Sequence, residues 1–266
     1  MSVNCIKSRV IGFVAATVLA VMPVWLRAAD PAYDSAAAYS AWTDGSNNGF
    51  GFGAWSLSPS TNTSNAGFFI GSSTGNGDGD SNGDGDINTS GKAFGLYANS
   101  GQVASAVRSF TGGALAIGQS FYIRMDNGFI DTGGTVGIGL QNSSGTNRIE
   151  FFFVGGDSSY KVNPVISSSV LTGVGFTDEG LRLQFEIKSS TGIQVTVRNN
   201  SGGSTLFDQL FTVASATDIT RFRLFNANAG GGGARDAFFN EVAVPEPSVA
   251  TLLVGFAALG GRRRRV

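Results

Sequence analysis

A strict alternation of apolar and polar residues over positions 181–188 constrains the fold more than any other feature of this 266-residue chain. The stretch reads Leu-Arg-Leu-Gln-Phe-Glu-Ile-Lys, so every odd position is apolar and every even position is polar. A period of two suits a β-strand with one buried face, and an α-helix cannot sustain it. A predicted turn at 189–192 follows, and the alternation resumes over 193–197. The two segments therefore predict a β-hairpin.

The rest of the central region carries the same kind of signal. Short apolar or alternating segments are separated by turns rich in Gly, Ser and Asn, without long helical periodicities. The further predicted strands are 103–110, 120–130, 134–141, 148–154, 205–213, 220–226 and 236–243. This pattern predicts an all-β fold, a single antiparallel β-sandwich of the jelly-roll type over residues 30–243. Within it, Ile149–Val154 is almost continuously apolar, which predicts a central strand covered on both faces. The alanine-rich segment 34–42 predicts one short helical turn.

The N-terminus has the layout of a secretory signal peptide over residues 1–29. Lys7 and Arg9 precede an apolar stretch at 10–25, and small residues follow at 28 and 29. Cleavage there removes Cys5, the only cysteine, so the mature fold holds without a disulfide. An uncleaved signal anchor is the alternative.

The C-terminus combines three features in a fixed order. Two prolines and an acid, which interrupt any preceding strand, stand at Pro245, Glu246 and Pro247. An apolar run at 249–261 follows, and a helix of about 13 residues rises roughly 20 Å, less than the hydrocarbon core of about 30 Å. The chain then carries Arg262, Arg263, Arg264 and Arg265. The arginines fix this end in the cytoplasm, and the short run argues against the alternative of a permanent anchor.

This tail resembles the PEP-CTERM sorting signal of bacterial envelope proteins. The resemblance implies recognition and processing by an exosortase-type membrane peptidase, with only transient contact between the tail and the membrane. It divides the chain into a signal peptide (1–29), a body (30–243) and a sorting tail (244–266). It also implies export to the cell envelope, the cell surface or the extracellular matrix.

The body itself has a second resemblance. Segments 39–42, 49–55, 67–71 and 91–98 combine Gly with aromatic residues. They resemble the sandwich domains of other exported proteins with such a tail, which are similar to the concanavalin A-like, laminin-G-like jelly roll. This resemblance implies fold and location, without an activity. Trp42 and Trp55 lie among small and apolar neighbours, so we predict that they pack in the core rather than stack on sugars.

Charge restricts the partners of the body. Three of the 18 basic residues precede residue 30 and four form the terminal cluster, whereas 18 of the 19 acidic residues lie in the body at 30–243. An acidic body argues against nucleic acid and anionic membrane surfaces, which require basic patches.

An acidic, glycine-rich segment spans residues 78–89. Counted from its second aspartate, oxygen ligands fall at alternate positions, as in the calcium loops of EF-hand and dockerin-like segments. The predicted ligands are Asp80, Asn82, Asp84, Asp86 and Asn88. The twelfth position, where those loops place a bidentate acid, is Gly91, so we predict a weak Ca²⁺ site with a Kd of roughly 10⁻⁴ to 10⁻³ M. The alternative is a solvated surface insertion that binds no ion.

The chain has few residues of the types that usually act in catalysis. The chain contains no histidine, which removes Ser-His-Asp and Cys-His schemes and His-ligated zinc. Glycosidases of this fold need two carboxylates about 5 to 9.5 Å apart. Glu150 and Glu186 lie on predicted strands that can be neighbours, yet neither has a second acid two or four residues away, so we assign both to solvated faces. Arg221 and Arg223 alternate with apolar residues and are predicted on an exposed face. We therefore predict that the protein is not an enzyme.

Two functional classes remain open from the sequence. The first is an exported, non-enzymatic surface or matrix protein that is sorted by its tail and contacts polysaccharide or itself. The alternative is a carbohydrate-active module, either a lectin-like binder or a glycoside hydrolase. Exposed aromatic residues or a close pair of carboxylates on a sheet face would favour the alternative.

Overall fold

A computed structural model describes residues 30–246 of the chain. The predicted signal peptide and the sorting residues from Pro247 to Arg265 lie outside the described residues. Pro245 and Glu246 follow directly after the last strand. Among the described residues, no helix is long and apolar enough to span a bilayer.

The body consists of short strands joined by turns, with three 3₁₀ turns at Ala36–Ala38, Ser73–Gly75 and Gly233–Arg235. The strands are β1 Ala32–Asp34, β2 Ser56–Ser58, β3 Ala66–Gly71, β4 Ala93–Ala98, β5 Val103–Ser109, β6 Ser120–Asn127, β7 Thr135–Gln141, β8 Asn147–Val154, β9 Lys161–Asn163, β10 Val170–Leu171, β11 Leu181–Ser189, β12 Gly192–Asn199, β13 Thr205–Thr212, β14 Arg221–Ala227 and β15 Ala237–Val244.

These strands form two antiparallel sheets. The first has eight strands in the order β13-β12-β11-β6-β15-β4-β3, with β1 also paired to β15. The second has seven, in the order β10-β9-β8-β7-β14-β5-β2. The prediction of an all-β sandwich is confirmed, including the hairpin at 181–197, which appears as β11 and β12.

The core lies between the inner faces of the two sheets. In β11 the four odd-numbered residues from 181 to 187 are buried, as their alternation predicts. Trp42 and Trp55 are 2% and 1% exposed and meet edge to face at 5.0 Å between ring centroids, so their predicted place in the core is confirmed. The predicted helical turn is also present at Ala36–Ala38, where the side chain of Ser35 accepts a hydrogen bond from the amide of Ala37.

The prediction for Ile149–Val154 is wrong in one respect. This segment lies within the second sheet as β8, but its burial alternates: Ile149, Phe151 and Phe153 are buried, whereas Glu150 and Phe152 are half-buried on the opposite face. An apolar run does not reveal a covered face when an aromatic residue stands at an outward position. Phe152 is such a residue, and it belongs to an open groove.

Candidate functional site

The acidic segment lies in the connection between β3 and β4, against the outer face of the first sheet. Ile87, from the middle of this loop, is fully buried and packs with Ala93 and Phe238 in a small cluster separate from the main core. Asn240 of β15 donates to the carbonyl of Ile87 at 2.9 Å. Asn200 donates to the carbonyl of Asp86 at 2.7 Å. The loop is therefore attached to the sheet on both sides of its buried isoleucine.

The structure brings three of the five predicted metal ligands together. Carboxylate oxygens of Asp80, Asp84 and Asp86 lie within 4.8 Å of one another. The side chain of Asn82 instead donates to Glu179. Asn88 accepts a hydrogen bond from the amide of Ser73 at 2.9 Å. The two asparagines thus hold the loop in shape, while the three aspartates present oxygen atoms to a common space.

Two further acids, Asp126 and Asp78, interact with this group but are not among the predicted ligands. Asp126 of β6 pairs in register with Phe238, so it shares the sheet face that the loop covers, and it is 1% exposed. Burial raises the pKa of Asp126 well above its usual range, and the charges of Asp78 and Asp86 add to the rise. Burial likewise raises the pKa of Asp78 and that of Asp86 to about 7, although nearby backbone amides oppose the rise for Asp78. No sequence signal marks Asp126, because polar residues are ordinary on an outer strand face.

An open groove runs along β7 on the outer face of the second sheet, with a volume of about 260 Å³. Its lining includes Glu150, Phe152, Arg223 and Phe225. By strand register, two glycines of β7 lie between these side chains, and we call them the floor glycines. Gly137 pairs with Phe225 of β14 on one side and with Phe152 of β8 on the other. Gly139 pairs in the same way with Arg223 and Glu150. An aromatic side chain therefore lies on each side of Gly137, and a charged side chain lies on each side of Gly139, two residues further along β7.

The two charged side chains of the groove, Glu150 and Arg223, are fixed by contacts with neighbouring side chains. Glu150 accepts a hydrogen bond from each of two side-chain amides, that of Asn147 and that of Asn163 at 2.9 Å. The Nε of Arg223 donates to Ser105 at 2.8 Å, and its guanidinium lies over the ring of Phe225 at 4.9 Å. Burial lowers the pKa of Arg223, and the charge of Glu150 opposes that shift. Fixed polar groups beside aromatic rings are typical of small-molecule and sugar sites.

Arg221 and Arg223 were predicted on an exposed face, and the structure shows both as half-buried. Both lie on the outer face of β14, where Arg221 donates to Gln141 at 3.0 Å. Glu150 and Glu186 do not face each other, because β8 belongs to the second sheet and β11 to the first. The sequence holds one signal for the groove: the alternate glycines of β7 mark a strand face without side chains.

The first sheet carries a second concavity of about 200 Å³. It is lined by Tyr33 and Tyr122 together with Arg124, Arg182 and Glu241. Arg124 pairs with Glu241 at 2.6 Å. Arg124 and Glu241 thus satisfy each other, which makes this concavity a suitable control for the groove on β7.

Comparisons with known proteins concern the fold. No protein-family model and no curated protein matches the chain. Similar solved structures include a sialidase, with 11% identity over 66% of this chain and 18% of that chain and a TM-score of 0.45. An endo-acting O-glycanase of the human gut microbiota has 12% identity over 80% and 97% of the two chains and a TM-score of 0.48. A Caenorhabditis elegans galectin has 11% identity over 50% and 86% and a TM-score of 0.35. The chain thus spans less than a fifth of the sialidase, and the likeness extends to the sandwich fold alone.

These neighbours contradict the prediction that the protein is not an enzyme. Structures with a similar sandwich are named as a sialidase, glycoside hydrolases, a transglycosylase and a carbohydrate esterase. The prediction relied on the absence of histidine and on acids spaced within one strand. Glycoside hydrolysis uses carboxylates, and a sheet brings them together from strands that are distant in sequence.

Proposed function

We propose that this is an exported protein that binds polysaccharide in the groove along β7. The observation that carries the proposal is the paired arrangement of Phe152 with Phe225 and of Glu150 with Arg223 across a floor of glycine. A sugar ring has apolar faces that pack on aromatic side chains. Its hydroxyl groups form charge-assisted hydrogen bonds with carboxylates and guanidinium groups.

The groove suits a linear chain because it lies on the open outer face of the sheet, along β7 between β8 and β14. A strand spacing of about 4.8 Å places its two walls roughly 10 Å apart. An open site of about 260 Å³ holds a short part of a polymer rather than enclosing a small ligand. Repeated weak contacts along a polysaccharide then supply avidity.

Binding is tested by affinity electrophoresis of the purified protein in gels that contain neutral or uronate-bearing polysaccharides. Phe152→Ala and Arg223→Gln are each expected to weaken retardation by about tenfold in Kd, as for a central residue of a binding site. Tyr122→Ala, in the concavity of the first sheet, is the matched control and leaves retardation unchanged. Equal losses in all three variants, or retardation by none of the polysaccharides, would contradict the proposed groove.

Export and sorting form the second part of the proposal. The signal peptide at 1–29 and the order of Pro245 to Pro247, apolar run and Arg262 to Arg265 support secretion followed by processing by an exosortase-type peptidase. A protein delivered to the outer surface or matrix meets polysaccharide there, which agrees with a groove for sugar.

Weak Ca²⁺ binding by the acidic loop completes the proposal. Its support is the group of Asp80, Asp84 and Asp86, whose oxygens lie within 4.8 Å of one another. Oxygen ligands at about 2.4 Å from a central Ca²⁺ are separated from one another by up to about 5 Å. Isothermal titration with CaCl₂ tests it, and an absence of bound Ca²⁺ at millimolar concentration would contradict it.

A further inference from the structure

We propose that the bound Ca²⁺ joins the acidic loop to the first sheet, with Asp126 of β6 and Asp78 acting together with Asp80, Asp84 and Asp86. This inference rests on the proposed Ca²⁺ binding by the loop and extends it to a residue of the sheet. The ion then has a structural role, because it holds residues 72–92 against the outer face of the sandwich.

The first argument concerns unpaired oxygen atoms. Seven buried carboxylate oxygens in this cluster meet no hydrogen-bond donor of ordinary geometry among residues 30–246. They are both oxygens of Asp78, of Asp86 and of Asp126, and the Oδ1 of Asp80. A buried carboxylate without a partner costs several kcal/mol unless it is protonated or neutralised by a cation. So many unpaired oxygens at one place indicate a cation.

The second argument concerns charge. No lysine or arginine in the described part of the chain forms an ion pair with these aspartates. Two arginines of the first sheet are engaged elsewhere: Arg124 pairs with Glu241, and Arg182 donates to Asn200. Glu179 stands beside the loop and adds negative charge, since it accepts from Ser81 and Asn82. Residues 30–246 therefore supply anionic groups to this cluster without a cationic side chain in direct contact.

The third argument concerns position. Asp126, on the sheet, and Asp86, on the loop that covers it, are each at least 96% buried, and neither carboxylate has a hydrogen-bond partner. Gly180 closes this space, because a Cβ at that position would lie 3.1 Å from the Cβ of Asp126 and 2.7 Å from Ile87. Hydrogen bonds to the carbonyls of Asp86 and Ile87 hold the loop in place above Asp126.

The fourth argument concerns the ligand that the loop lacks. A calcium loop of this spacing needs a carboxylate at its twelfth position, which is Gly91 in this chain. Asp126 supplies an acid to the same region from a different element. Calcium tolerates such an irregular set of ligands, whereas Mg²⁺ demands a tighter octahedron.

The experiment compares the purified full chain with Asp126→Asn and with the control Glu186→Gln. Glu186 lies on the same sheet, and its carboxylate pairs with Lys188 at 2.8 Å. Melting temperature is measured in chelator and in 10 mM CaCl₂, and Ca²⁺ affinity is measured by titration.

We expect Ca²⁺ to raise the Tm of the wild type and of Glu186→Gln by on the order of 5 °C. Asp126→Asn should lose at least about tenfold in Ca²⁺ affinity, and in chelator it should melt above the wild type because a buried unpaired charge has been removed. That opposite change excludes simple misfolding of the variant. Unaltered Ca²⁺ affinity in Asp126→Asn overturns this inference and leaves Ca²⁺ binding by the loop intact. An absence of Ca²⁺ binding by the wild type overturns both.

Discussion

The guanidinium of Arg108, on β5 of the second sheet, donates to the carboxylate of Asp34, on β1 of the first, and neither side chain has exposed surface. Tyr39 donates to the same carboxylate at 2.8 Å. The rings of Phe52 and Trp55 each lie 5.0 Å from the guanidinium carbon. Burial raises the pKa of Asp34, and the charge of Arg108 opposes that rise. One buried ion pair thus joins the two sheets.

Replacement of this arginine is expected to destabilise the fold strongly. Arg108→Leu leaves the carboxylate of Asp34 buried without a counter-charge, which costs about 3 to 5 kcal/mol in the free energy of unfolding. Arg148→Leu is the control, because its partner Asp218 is 40% exposed and such a pair contributes about 1 kcal/mol or less. Urea denaturation measures both. Similar midpoints for the two variants would contradict the role of the buried pair.

The two floor glycines of the groove are expected to differ in their tolerance of a side chain. A Cβ at Gly137 would lie 2.4 Å from the backbone carbonyl oxygen of Phe151, so Gly137→Ala must displace backbone and should cost about 1 to 3 kcal/mol. A Cβ at Gly139 would lie 3.2 Å from the side chain of Asn147, which can move. Gly139→Ala should therefore keep its Tm within about 2 °C of the wild type, while it narrows the groove and weakens polysaccharide binding. A reversed order of the two melting temperatures would argue against this geometry.

The strands of the sandwich were largely predictable because each carries its own alternation. Thr135–Gln141 and Arg221–Ala227 are found within one residue of the predicted 134–141 and 220–226. The short strands Lys161–Asn163 and Val170–Leu171 escaped prediction, since two or three residues do not establish a period. The sequence also did not show which strands share a sheet. Glu150 and Glu186 lie in different sheets, and this depends on contacts between residues that are distant in sequence.

The candidate sites were predictable only where their residues are adjacent in sequence. The spacing of Asp80, Asp84 and Asp86 marked the acidic loop, and the structure brings their oxygens together. Asp126 lies 40 residues further along the chain than Asp86 and joins them only through the tertiary fold. The groove likewise arises from register, since Phe152 and Phe225 meet across a glycine of a third strand.

A half-buried acid just before the last strand, Asp236, is expected to make stability depend on pH. Burial raises the pKa of Asp236 to about 7, above the unfolded value of about 3.9. The stability that its protonated form provides is present below about pH 4 and is lost as pH rises through about 7. Asp236→Asn should therefore melt a few degrees above the wild type at pH 8 and close to it at pH 3.5. Thermal melts at the two pH values, with Glu186→Gln as the control, measure the difference. A constant difference between Asp236→Asn and wild type would contradict the assignment.

The tail is expected to be removed in the native host. Mass spectrometry of the exported protein should detect peptides up to the region of Pro245 and none that contain Arg262 to Arg265. Lysine in place of all four arginines keeps the charge and serves as the control for orientation of the tail, with removal retained. An intact C-terminus on most exported molecules would favour a permanent anchor.

The pairing of Ala32 with Val244 joins the two ends of the sandwich within one sheet. β15, the last eight residues of the sandwich, fills the place between β6 and β4, so the first sheet stays in two parts until that segment arrives. Closing contacts between the two ends of a chain is slow, because the intervening loop must first be ordered. If the chain is exported N-terminus first, as we propose, we expect this sheet to be completed only after its last strand has crossed the membrane, and that same strand leads into the predicted tail.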